Sequence, residues 1–248
     1  MGLRFGSPRI PTVFDDAAFW VNFPQHSKHQ SDFSEVYDTA QGLRLFQNGT
    51  APAMSSEVDM PGLGSGFKAP IFNGSRWFRC VDAAGTRVDM AGATTLVMWL
   101  KSFDMTERDT VFEKAGTTNN SYEQEIACTW ETGETISWYS RVSSYDYSSV
   151  PTIGTSGAWK MVGIKMSTGK ISGVNRNGYY SVDGANWTAN YTNRSTNVIT
   201  PAGELRIGNG YAGVVEGGAV SQVLVWQREL TNTEINSVWN TTRSWHQR

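Results

Sequence analysis

Two cysteines in 248 residues cannot build the disulfide framework on which small secreted domains depend. Cys80 and Cys128 sit in strand-like runs, Trp77-Phe78-Arg79-Cys80-Val81 and Ile126-Ala127-Cys128, and are expected to be buried free thiols. Charge is also scarce. Only 18% of residues are charged, the formal net charge is −2, and no Lys/Arg cluster interleaves with aromatics, so nucleic-acid binding has no electrostatic footprint. No apolar run approaches the ~20 residues of a membrane-spanning helix, and membrane insertion is not expected. Met1 to Pro11 lack the apolar core of a signal peptide, so export by the usual route is not expected either. Helix-periodic runs are few, and no internal repeat is apparent.

What the chain does contain is 25 Gly, 10 Trp and many short alternating segments, a composition that fits one large all-β domain. A chain of this length buries roughly 70–75% of its unfolded surface, enough for a core that needs no staple. Residues 1–12 hold Pro8 and Pro11 with no regular period and read as an extended arm. Within it Leu3, Arg4, Phe5, Arg9 and Ile10 are the candidate partner-binding residues. Residues 13–248 read as a single domain. Its first strand is expected over residues 14–24, which carry Phe14, Phe19, Trp20, Val21 and Phe23.

The sharpest local pattern lies between Leu205 and Ile235. Leu205-Arg206-Ile207-Gly208 precedes a Gly-rich turn and the strand Val220-Ser221-Gln222-Val223-Leu224-Val225-Trp226. A regular period of two puts Val220, Leu224 and Trp226 on one face and Val223 and Val225 on the other, a strand buried on both sides. Thr231 then stands three residues before Glu234, a capping box that starts a short helix over about 231–240. Upstream, Asp183-Gly184 between alternating apolar residues is a hairpin signal.

This order resembles the end of the laminin G-like domains of the concanavalin A-like lectin/glucanase superfamily. Further steps of the same resemblance are Phe72-Asn73-Gly74, Thr95-Leu96-Val97-Met98-Trp99-Leu100-Lys101, Val111-Phe112-Glu113-Lys114, Trp159-Lys160-Met161-Val162-Gly163-Ile164 and Tyr180-Ser181-Val182-Asp183-Gly184. Together they span roughly residues 70–240. The resemblance implies an all-β, antiparallel two-sheet jelly-roll sandwich with one short C-terminal helix. It leaves the role open, because that fold carries lectins, adhesion modules, glycosidases and virion-surface domains alike.

Departures from the family pattern narrow the chemistry. Ser221-Gln222 stands where many relatives carry an acidic pair, and no other segment supplies the dense oxygen ligands of a calcium site, so neither a metal nor another cofactor is expected. Superfamily glucanases need a strand reading E-x-D-x-x-E, with two carboxylates about 5–5.5 Å apart. Glu123-Gln124-Glu125 lacks the middle Asp and the third acid, and no catalytic residue is assigned. His26 and His29 have no nearby Cys or acidic partner and read as solvated loop residues.

The candidate ligand-binding surface in the sequence is an aromatic, turn-rich segment: Trp138, Tyr139 and Arg141 lead into Tyr145, Asp146 and Tyr147. Aromatic faces stack on sugar CH groups while planar polar groups bond hydroxyls, so a loop of this composition suits a glycan. The functional expectation is a non-enzymatic, surface-displayed protein, a phage virion decoration or fibre component assembled in the host cytoplasm. Its expected partners are other virion proteins or further copies of itself, and host-surface glycans. The alternatives are an extracellular carbohydrate-binding or adhesion module of a cellular surface protein and, behind it, a glycoside hydrolase.

Overall fold

The computed structural model describes residues 12–27, 33, 35–48, 57–64, 66–74, 76–80, 88, 93–102, 109–115, 124–131, 135–141, 145–149, 157–166, 176–182, 188–193, 203–210, 213–214 and 216–246. The arm residues Leu3, Arg4, Phe5, Arg9 and Ile10 lie outside them, as do His29, Glu123, Asp183 and Gly184.

Two mostly antiparallel sheets face each other. The back sheet runs β14 (Thr188–Asn193), β13 (Arg176–Val182), β12 (Trp159–Met166), β7 (Thr94–Ser102), β18 (Glu216–Trp226), β5 (Lys68–Asn73) and β4 (Glu57–Asp59). A further strand, β1 (Phe19–Asn22), also pairs with β18. The front sheet runs β11 (Tyr145–Ser149), β10 (Thr135–Arg141), β9 (Gln124–Glu131), β8 (Asp109–Ala115), β15 (Leu205–Ile207), β6 (Trp77–Cys80), β3 (Arg44–Asn48) and β2 (Glu35–Tyr37). A small ribbon of β16 (Asn209–Gly210) and β17 (Gly213–Val214) joins it at β8. The expected sandwich is thus present.

Between the sheets, Leu96, Met98 and Leu100 of β7 meet Phe78 of β6, Phe112 of β8 and Ile207 of β15 in one buried cluster. The other parity of β7, Val97 and Trp99, belongs to a second cluster on the outer face of the back sheet. That cluster is closed by helix α2 (Asn232–His246) through Ile235 and Val238. An apolar residue at every position from Leu96 to Leu100 therefore means burial on both faces, and the molecule has three layers there.

Three sequence expectations change. Val220 faces inward with Val223 and Val225, because the register with β7 shifts between Val220 and Gln222. A bulge adds one residue and so inverts the parity of everything beyond it. The first strand is shorter than residues 14–24: Thr12–Asp16 forms a turn, β1 covers Phe19–Asn22, and α1 (Phe23–Ser27) follows. The C-terminal helix starts at the expected capping box, where the Glu234 amide donates to Thr231 Oγ1 (3.2 Å) and the Thr231 amide donates to Glu234 Oε2 (2.8 Å). It continues past residue 240 to His246 because Thr242, Trp245 and His246 extend its buried stripe. The hairpin expected at Asp183-Gly184 is present in the antiparallel pairing of β13 with β14, which joins Tyr180 to Thr188; Asp183 and Gly184 themselves lie outside the described residues.

The far end of α2 is held by polar contacts inside the outer cluster. Trp99 Nε1 donates to Thr242 Oγ1 (2.8 Å), which itself donates to the Val238 carbonyl (2.8 Å). The His246 ring stacks on Trp99 with centroids 3.9 Å apart. His246 Nδ1 donates to the Thr242 carbonyl (2.8 Å), an assignment that leaves Nε2 to accept from Ser221 Oγ (2.6 Å), the hydroxyl of the bulge residue. Gly62 completes the contact. Its amide donates to the Trp245 carbonyl, and a Cβ there would lie 1.5 Å from the Ser244 oxygen.

Both cysteines are buried and free, as expected. Cys80 on β6 and Cys128 on β9 are separated by β15 and β8, three strand spacings or roughly 14 Å, twice the reach of a disulfide. His26 is not a solvated loop residue: it lies on α1, half-buried, with Nε2 2.8 Å from the Tyr37 carbonyl.

Candidate functional site

The aromatic segment singled out in the sequence is a paired β-hairpin arm at the edge of the front sheet, not a turn-rich loop. Tyr139 pairs with Tyr147, Arg141 with Tyr145, Ser140 with Asp146 and Trp138 with Ser148. Alternation then divides the six residues. Along the paired strands Tyr139, Arg141, Tyr145 and Tyr147 share one register parity, and Trp138 and Asp146 share the other with Ile136.

The outward row continues across the sheet. From Tyr147 and Tyr139 it passes through Ala127, Glu113, Arg206 and Arg79 to Phe46, each the direct cross-strand partner of the next. Arg206 Nε bonds Glu204 at 2.7 Å, its Nη1 lies 3.4 Å from Glu113, and its guanidinium sits over Trp77. Arg44 lies over Phe46 in the same manner. Within the row Arg79 is exposed, whereas Ala127 and Glu113 are buried, and Gly210 of the β16–β17 ribbon lies against Glu113.

A concave site lies on the other side of the molecule, between the Thr12–Asp16 turn and α2. A cavity of about 620 Å³ is lined by Thr12, Phe14, Asp15, Trp20, Thr39, Ala40, Ser237, Thr241 and Trp245. The Phe14 and Trp20 rings are 5.1 Å apart, tilted by 33°, and with Trp245 they are all half-buried. Around them stand the exposed hydroxyl residues Thr12, Thr39, Ser237 and Thr241. An adjoining hollow of about 700 Å³ shares Thr12, Asp15 and Ser237 and adds Val13, Asp16, Arg228, Thr233 and Glu234.

Each wall has a local cause. The Thr12 amide (2.5 Å) and hydroxyl (3.2 Å) both donate to Asp15 Oδ2, closing the N-terminal turn, and Trp226 Nε1 donates to the Val13 carbonyl (2.8 Å) to pin it on the back sheet. Asp38, almost fully buried, accepts from the amides of Trp20 (2.5 Å), Ala40 (3.1 Å) and Gln41 (2.6 Å), which is why the Thr39–Gln41 turn stands beside Trp20. Arg228 Nη2 lies 2.7 Å from both Asp16 and Glu234, clasping the turn to the first turn of α2.

Electrostatics follow from that clasp. The hydrogen bond from Arg228 holds Glu234 well below the usual carboxylate range, at about 2, aided by the Thr231 amide and hydroxyl. Bonds to Glu234 and Asp16 raise Arg228 in turn. A carboxyl of such low pKa cannot serve as a general acid near neutrality. Asp16 is tied to the same guanidinium and Asp15 to its own turn, so the groove offers aromatic faces and hydroxyls for binding more readily than groups for proton transfer. Among the described residues no three His, Cys, Asp or Glu side chains gather in a way that could hold a metal ion.

No protein-family model and no curated protein matches the chain. Solved structures do. Domain 4 of AbnA, an extracellular GH43 arabinanase from Geobacillus stearothermophilus solved with arabinotriose, aligns over 90% of this chain and 98% of its own length at 15% identity and a TM-score of 0.64. The fold is a β-sandwich. The receptor binding domain of a botulinum neurotoxin C/D mosaic aligns over 94% of this chain at 9% identity, with a TM-score of 0.62. Trypanosoma rangeli sialidase, solved with sialic acid, aligns over 91% at 12% identity with a TM-score of 0.58. This sandwich spans 54% of the toxin domain and 33% of the sialidase chain.

The sequence reading placed Phe14 and Trp20 in a strand and ended the helix before Trp245. Their spacing carries no shared signal: the groove is assembled from residues 12–20, 39–40 and 237–245, brought together only by the β1–β18 pairing and the packing of α2.

Proposed function

We propose that the chain is a non-enzymatic, surface-displayed carbohydrate-binding sandwich whose glycan lies in the Phe14–Trp20–Trp245 groove. The observation that carries this reading is the groove itself: three half-buried aromatic rings ringed by four hydroxyl residues in a cavity of about 620 Å³, a size within the usual range for small-ligand sites. Sugar CH groups stack on the rings while hydroxyls bond to the rim. Domain 4 of AbnA was solved with arabinotriose and a related toxin binding domain with SialylT, and cell entry of botulinum neurotoxin type C depends on interaction with two ganglioside molecules, which supports the ligand class.

The display setting we propose is a phage virion, where the arm residues Leu3, Arg4, Phe5, Arg9 and Ile10 would anchor the sandwich to other virion proteins or to further copies. The laminin G-like motifs and the lectin-like fold are what support a displayed module of this kind. Binding to a glycan array followed by calorimetry tests the central claim. Trp245→Ala and Trp20→Ala should each weaken binding at least tenfold, with the fold intact by circular dichroism. Retained binding in both, together with loss in Tyr145→Ala/Tyr147→Ala, would move the site to the outward face of the front-sheet hairpin.

A further inference from the structure

Resting on that reading, we infer that acid opens the groove: when His246 takes up a proton, the last turn of α2 lifts from the sheet and carries the Trp245 wall with it, releasing the glycan. Two stripes run side by side along this end of the helix. Thr241 and Trp245 line the groove, whereas their neighbours Thr242 and His246, also four residues apart, are buried against the back sheet. Trp99 Nε1 holds Thr242, the Ser221 hydroxyl holds His246, and the Trp245 carbonyl accepts the Gly62 amide (3.1 Å). The groove wall therefore moves whenever the buried stripe undocks.

The dock is built for a neutral ring. His246 stacks on Trp99 at 3.9 Å and meets Trp159 edge-on at 5.3 Å, while Nδ1 donates to the Thr242 carbonyl and Nε2 accepts from Ser221. None of these partners bears a charge. Among the described residues, the charged groups on the elements that touch the ring are Lys101 on β7, Lys160 and Lys165 on β12, Glu216 on β18, and Glu234 and Arg243 on α2. Lys101 shares the strand parity of Trp99 and Arg243 stands one turn before His246, and both disfavour another cation. Lys160 lies opposite Leu100 on the core-facing parity, and Lys165 is bonded to Asn232 and Glu229 at the far end of the helix. Glu216 opens β18 opposite Asn73, and Glu234 sits about 18 Å along the helix, clasped by Arg228. The Trp99 face attracts a cation by a factor of roughly ten to thirty. Removal from water outweighs it and holds the docked ring at about 3. Undocked, the ring titrates near 6.5, so each pH unit below that favours the undocked turn about tenfold.

Amide hydrogen exchange of the full chain between pH 7 and 4.5 reads the turn without any glycan. Relative to the intrinsic rate, exchange at residues 241–246 should quicken about tenfold per pH unit below 6.5. Affinity for the tightest oligosaccharide of the glycan array should fall at least threefold by pH 4.5. His246→Gln should flatten both responses to within about twofold; Asp15, Asp16 and Glu234 are common to the two proteins, so the difference reports His246. Ser221→Ala, which keeps the imidazole, should quicken the same amides about fivefold at pH 7 and carries the test should His246→Gln not fold. Exchange that ignores pH, or that keeps its slope in His246→Gln, overturns the acid release and leaves the carbohydrate reading standing. Affinity that holds steady to pH 4.5 while the exchange responds overturns the link from helix end to groove. Binding of no oligosaccharide at any pH, with the exchange response intact, overturns the carbohydrate reading and leaves the acid-released turn standing.

Discussion

Strands β3, β6 and β15 of the front sheet and the centre of the back sheet solve their outer faces in opposite ways. On β3, β6 and β15 of the front sheet, alternation sends Leu45, Phe78, Cys80, Leu205 and Ile207 into the core and leaves Arg44, Phe46, Trp77, Arg79 and Arg206 on the other parity, whereas β8 is buried from Asp109 to Lys114. On the back sheet both parities are apolar: Val97, Trp99, Leu224 and Trp226 point away from the core and would meet water if nothing lay over them. Helix α2 and the Thr12–Asp16 turn cover them, and the covering elements create at their seam a concave aromatic site. Surplus hydrophobicity on one face of a sheet thus demands a third layer, and the joint between layers supplies the groove that a flat two-layer face lacks.

The largest test of this contrast compares one tryptophan from each face. Trp99 is fully buried, stacked on Trp239 and His246, and bonded to Thr242, so Trp99→Ala should cost about 3–5 kcal/mol and loosen α2. Trp77 is only half-buried under Arg206, and Trp77→Ala should cost about 1 kcal/mol. Urea unfolding followed by circular dichroism reads both. Comparable losses would mean that α2 is an ornament and not a layer.

Acid offers the next test, because it acts on the covered face through His246. Burial pushes this imidazole down to about 3, opposed by its bond to the Thr242 carbonyl. In the unfolded chain it titrates near 6.5, so below that pH the unfolded state takes up a proton that the folded state refuses. The stability held by the neutral ring is complete above about pH 6.5 and drains away as the pH falls toward 3, reaching a loss of roughly 2–3 kcal/mol by pH 4.5. Glu234, depressed to about 2, begins to matter only below the usual carboxylate range near 4.5, so the two windows separate. His246→Gln should flatten the stability profile between pH 6.5 and 4.5, and an unchanged slope there would remove His246 from the account.

The same contrast explains what the sequence could reveal. Alternating segments such as Trp77-Phe78-Arg79-Cys80 and the capping box at Thr231 and Glu234 are local, and the structure contains them where they were expected. The bulge at Ser221 was invisible because β18 is apolar on both faces, so a slip of one residue leaves the pattern unchanged. The hairpin of β10 and β11 was misread for a related reason: Ser, Tyr and Asp in Tyr145–Ser149 resemble a turn when considered alone, whereas pairing with Ser137–Arg141 makes the segment a strand. The groove was beyond reach, since no local pattern ties Thr12 and Trp20 to Trp245.

The smallest effect belongs to the open face and concerns Arg79. It is exposed and sits directly opposite Arg206, whose charge is already taken by Glu204 and Glu113. Like charges facing each other across a strand pair are destabilising by a few tenths of a kcal/mol, and an exposed side chain on a two-layer face has little packing to lose. Arg79→Gln should therefore be neutral or stabilise by about 0.2–0.5 kcal/mol at low salt, with the gain fading as the salt concentration rises. A loss above about 1 kcal/mol, persisting at high salt, would show that the outward side of β3 and β6 is packed as the outer face of the back sheet is, and the difference between the two regions would no longer explain where the groove formed.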